Sequence, residues 1–115
     1  MTVIDQTLVG NATNAWVNGE AVRASGTFAV VNPATGEPVA EVVDSDAAVI
    51  GAAITAAADA FSTWSQTEPS QRAEQLRAWA DLIEERTEQV AAITTAESGK
   101  LFRDCLLYTS DAADE

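Results

Sequence analysis

Up to Val43 the chain alternates short β-prone runs with turn residues. From Asp44 onward the apolar spacing lengthens to the helical period. Met1 to Asn14 is polar, small and unpatterned, which predicts a loose arm. Trp16-Val17 and Ala21-Val22 flank Asn18-Gly19. That pair suits a type I′ turn, whose two central residues need φ > 0, and so predicts a first short hairpin. Ser25-Gly26 marks another turn. Thr27-Phe28-Ala29-Val30-Val31 is rich in β-formers. The Pro- and Gly-punctuated stretch Asn32 to Pro38 must turn, and Val39-Ala40-Glu41-Val42-Val43 returns as a strand. Val39 and Val42 break strict alternation, which predicts a bulge or an edge position.

Asp44, Ser45 and Asp46 are N-cap candidates for a first long helix. Ile50, Ile54, Ala57, Phe61 and Trp64 fall on one face of it. Ala56-Ala57-Ala58 adds helix propensity and a small surface that another backbone can approach closely. Thr67-Glu68-Pro69 separates this helix from the next, with Pro69 suited to a first helical position. Leu76, Trp79, Ile83, Val90 and Ile93 mark a second, longer stripe. It skips the Arg86-Thr87 turn, so it is not a heptad coiled coil. Ser98-Gly99 is its expected stop. The prediction is a mixed α/β chain: two N-terminal β-hairpins, then two long antiparallel α-helices whose apolar faces partly cover each other. No internal repeat is visible.

Composition narrows the chemistry. The chain has 115 residues, enough for one domain, and 47% are hydrophobic, which fits a folded chain rather than an acidic disordered tail. Six Lys and Arg against 18 Asp and Glu give a formal charge of −12. Scattered bases and this charge exclude a phosphate backbone as partner and disfavour an anionic membrane surface. No uninterrupted apolar run reaches the ~18 residues of a spanning helix. No basic stretch followed by an apolar core marks a signal peptide. With no His, Ser/His and Cys/His catalytic pairs and His-ligated metals are excluded. A single Cys excludes an internal disulfide and a cysteine zinc cluster, and fits a reducing, intracellular compartment.

Five features could carry chemistry. Cys105 is a nucleophile type, but Asp104 stands between it and the cationic Arg103. Glu84-Glu85 resembles an acid–base pair, yet adjacent helical positions point about 100° apart, which favours a solvated face. Asn32-Pro33-Ala34-Thr35-Gly36 could present turn amides to a ligand or be a rigid β-turn, and the turn is favoured. The glycines at 10, 19, 26, 36, 51 and 99 form neither a G-x-G-x-x-G nor a P-loop spacing, so no dinucleotide site is assigned. Trp16, Trp64 and Trp79 could form a binding platform. Trp64 and Trp79 lie on the helical stripes, so core packing is expected of them.

Four pieces in this order resemble the N-terminal region of the aldehyde dehydrogenase superfamily: Trp16-Val17-Asn18-Gly19-Glu20; Val30-Val31-Asn32-Pro33-Ala34-Thr35-Gly36-Glu37; Ala60-Phe61-Ser62-Thr63-Trp64; and Arg72 through Glu97-Ser98-Gly99-Lys100. Thr94-Thr95-Ala96-Glu97-Ser98-Gly99-Lys100 is most similar to the succinate-semialdehyde branch. The resemblance implies the outer part of a cofactor-binding domain in a bacterial, cytoplasmic, homo-oligomeric enzyme. That parent oxidises an aldehyde to an acid with NAD or NADP, through a cysteine thiolate and a glutamate-activated water. Those groups lie downstream in the family, so no catalytic, cofactor-binding or metal residue is assigned here, and the stretch alone is expected to be inactive. Some members hold a monovalent cation where this chain has Glu97 and the backbone of Val30 or Val31. A surface glutamate is the plainer reading.

The chain departs from the family at Leu101, where Pro is usual. From Cys105 the pattern is lost, so residues 1–104 are expected to be family sequence and 105–115 a non-family tail resembling translated read-through. The rival reading is a small acidic helical module that presents a groove to a partner and has no catalytic parent.

Overall fold

The computed structural model describes residues 4–107. The expected loose arm, of which residues 1–3 lie outside the described residues, is ordered from Asp5 onward. Asp5 caps a short helix α1, Gln6–Gly10, by accepting from the Thr7 backbone N–H at 2.9 Å and the Thr7 hydroxyl at 2.7 Å. A 3-10 turn, Asn11–Thr13, leads straight into β1, Asn14–Val17. The Asp5 N–H also donates to Gln89 Oε1 at 2.9 Å, a bond across most of the chain. A five-residue helix held by one cap and one distant partner leaves no apolar period in the sequence.

Both hairpins form as the turn residues dictate. β1 pairs antiparallel with β2, Glu20–Arg23, with Val17 opposite Glu20. Asn18 at φ 54° and Gly19 at φ 78° supply the two left-handed positions of the connecting turn. β3, Gly26–Val31, pairs antiparallel with β4, Pro38–Asp44. Val30 faces Ala40 while Val31 faces Pro38, which leaves Val39 as the extra, bulged residue. The ribbons remain two separate two-stranded sheets.

α2, Ala47–Trp64, begins at Asp46. Asp46 Oδ1 accepts from the Ala48 and Val49 N–H groups, each at 3.0 Å, and Oδ2 accepts from the Ser25 hydroxyl at 3.0 Å. One carboxylate thus caps the helix and ties it to the β2–β3 connection. The Val49 N–H, then the Ser25 hydroxyl, hold the Asp46 carboxyl below its ordinary value of 3.8. A depressed native value stabilises the fold above the unfolded value, and that contribution goes as pH falls through the native one. The first turn of α2 is therefore expected to loosen on acidification below about pH 4. Asp46→Asn should keep the cap and abolish this acid transition, as read by amide NMR shifts of Ala48 and Val49.

The expected second helix is two helices. α3, Pro69–Glu85, ends where Arg86 turns the chain at φ −112°, ψ 13°, and α4, Thr87–Ser98, begins at once. Gly99 at φ 75° closes α4. α4 is the hub of the chain. Ala91 and Ala92 on it, with Cys105, are the buried apolar residues among those described. Gln89 receives the N-terminal segment, and the Thr95 hydroxyl donates to Cys105 Sγ at 3.5 Å from the helical stretch 102–107.

The long helices do not shield one another. Of the apolar residues expected to cover each other, Ile50, Ile54 and Phe61 on α2 and Leu76 and Trp79 on α3 are exposed, and Ile83 on α3 is half-buried. The chain is a slab, 48 × 36 × 19 Å, with a radius of gyration of 16.6 Å. A compact domain of about this length has roughly 13 Å.

Candidate functional site

Among the described residues, thirteen large apolar side chains are exposed on this slab. On α2, Val49, Ala53 and Ala56 are half-buried, and the alanine side faces the β1–β2 hairpin. A groove of about 210 Å³ runs there between Trp16, Val17 and Asn18 on one wall and Ala53, Ala56, Ala57 and Ala60 on the other. The small side chains let the hairpin come close, as the alanine run predicts. The large side chains point elsewhere: Ile54 and Phe61 are each 67% exposed. α3 repeats the division, with Ala73, Ala80 and Ile83 half-buried, Leu82 exposed and Trp79 63% exposed. Each helix therefore turns most of its largest apolar side chains outward. Large apolar side chains exposed at helical spacing mark a place where something else packs.

By length and composition alone α2 could cross a membrane, at 18 residues with mean hydropathy 1.3. No uninterrupted apolar run is needed for that, because eight alanines raise the mean. Its build is that of a helix packed against protein. Asp59 lies in its C-terminal half and one side already rests on the first hairpin.

None of the sequence candidates forms a reactive centre. Cys105 is 3% exposed beneath α4 and takes the Thr95 hydroxyl, so no substrate reaches its sulfur. Glu84 and Glu85 are both exposed on the last turn of α3. The Asn32 turn closes on itself. The Asn32 N–H donates to the Glu37 carbonyl at 2.9 Å, and the Asn32 carbonyl accepts from the Gly36 N–H at 2.8 Å. Asn32 Oδ1 accepts from the Ala34 N–H at 2.9 Å, and Thr35 Oγ1 from the Glu37 N–H at 3.2 Å. Those amides are committed inside the turn, so it is the closed turn rather than a ligand cradle, though it closes by an i+4 to i bond, as an α-turn, and not as the expected β-turn. Trp64 and Trp79, expected in the core, are both exposed, and so is Trp16.

Glu97 is exposed near the end of α4. That end abuts the turn after Val31, because a Cβ on Gly99 would lie 3.2 Å from Pro33 Cγ. The elements that carry the positions singled out for a cation thus meet, but the side chain among those positions is one solvent-facing carboxylate. A hard-cation shell takes about six to eight oxygens, and among the described residues no three Asp, Glu, Cys or His side chains gather around a common point. The contact has a structural consequence. Gly99→Ala would place a Cβ in the left-handed region and press it on Pro33. It is expected to cost about 1–2 kcal/mol in a denaturant melt.

A family model described as the aldehyde dehydrogenase family matches residues 16–114. The chain belongs to the aldehyde dehydrogenase family. The match reaches residue 114, into the stretch 105–115 set apart by its loss of pattern, of which 108–115 lie outside the described residues. Family membership removes the rival reading of a module with no catalytic parent. The chain is 37% identical over 86 residues to 5-carboxymethyl-2-hydroxymuconate semialdehyde dehydrogenase of Escherichia coli, covering 75% of this chain and 18% of that protein. It is 35% identical over 100 residues to the mitochondrial succinate-semialdehyde dehydrogenase of Rattus norvegicus, covering 84% and 19%. An aldehyde dehydrogenase crystal structure from Brucella melitensis superposes with TM-score 0.89 at 34% identity, over 98% of this chain and 24% of that one. A point mutant of betaine aldehyde dehydrogenase from Staphylococcus aureus, in complex with NAD+, gives 0.86 at 27% identity over 96% and 23%. The chain thus spans about a fifth of the length of the curated relatives it matches.

Among the described residues of this aldehyde dehydrogenase stretch, the N-termini of α2, α3 and α4 do not offer a pyrophosphate an open set of N–H groups. A pyrophosphate binds at a helix N-terminus with free N–H groups. At α2 the Asp46 carboxylate already occupies that position. At α3, Pro69 lacks an N–H and Glu68 precedes it, and α4 carries Glu88 in its first turn.

Proposed function

We propose that this chain is the N-terminal outer layer of an NAD(P)-dependent aldehyde dehydrogenase that oxidises a semialdehyde, succinate semialdehyde being the first candidate, to its carboxylic acid. One observation carries the reading. Ile50, Ile54, Phe61, Leu76 and Trp79 lie exposed on two helices of a chain about a fifth as long as its relatives. Those side chains are a docking face for the remaining four fifths, which supply the thiolate, the general base and the dinucleotide site. The stretch itself contributes shape and burial, not chemistry. The semialdehyde class is supported by the names of the curated relatives. A cytoplasmic homo-oligomer with neither nucleic acid nor membrane as partner suits a family enzyme with one Cys and a charge of −12.

Two measurements test this. The purified chain, given succinate semialdehyde with NAD+ or NADP+, is expected to form no reduced cofactor above a buffer blank. Grafted in place of the matching segment of the rat relative, it is expected to give a soluble oligomer that oxidises succinate semialdehyde. Turnover by the chain alone would overturn the reading. So would a graft that stays unfolded under conditions where the intact relative folds.

A further inference from the structure

We draw no further inference here: the strongest candidate, the groove between the β1–β2 hairpin and the alanine side of α2 together with the bare apolar stripe beside it, belongs to the docking face already described, and nothing in the structure shows what else covers it.

Discussion

Phe61→Ala and Trp79→Ala are expected to leave the stability of the isolated chain almost unchanged and to destabilise the grafted enzyme severely. Both side chains are largely exposed here, and surface substitutions away from special features usually stay within about 0.5 kcal/mol. Once covered by a partner layer, the same truncations remove a buried aromatic and leave a cavity, at about 3–5 kcal/mol each. Paired denaturant melts, chain against graft, read the difference. The unmodified chain should also bind an apolar dye and associate with itself, and the double variant should do both less. Equal losses in the two contexts would mean that these side chains already pack within the chain, and would sink the docking reading.

The opposite contrast is expected at the hub. Ala91→Leu adds three carbons at a position with no exposure at all. Overpacking of a filled site typically costs about 1–3 kcal/mol. Here the loss should appear in the isolated chain as well as in the graft, because the N-terminal segment and the 102–107 stretch both rest on α4. Hydrogen exchange at α1 and at 102–107 should rise together with that at α4. Exchange confined to α4 would show that the three do not form one unit.

The two hairpins were legible in the sequence because their chemistry is local. Asn18-Gly19 can satisfy a type I′ turn unaided, and Asn32 supplies three of its own turn's hydrogen bonds. The bulge at Val39 was visible as a broken alternation. The break at Arg86 showed only as a skipped position in a stripe, so one helix was expected where two stand. α1 was missed because a distant residue, Gln89, helps hold it. The apolar stripes posed a different problem. Their period reports which face the complete fold buries, and it says nothing of whether the covering layer lies in the same stretch of chain. Hence Phe61 and Trp79 read as core and stand exposed. Cys105 read as the start of patternless sequence and stands buried, since a single inward residue produces no period.

The two ribbons never join, so each strand has a neighbour on one side only. An unpaired strand edge is a template for fibril growth, and proteins blunt it with charge, Pro and bulges. β4 carries all three, in Glu41 and Asp44, Pro38 and Val39. β3, reading Gly-Thr-Phe-Ala-Val-Val, carries none of them. In the bare chain the mutual repulsion of copies at −12 opposes pairing along this edge, whatever association the apolar faces drive. That restraint is long-ranged and weakens with ionic strength, so salt, and not heat alone, sets how long the bare chain keeps in storage.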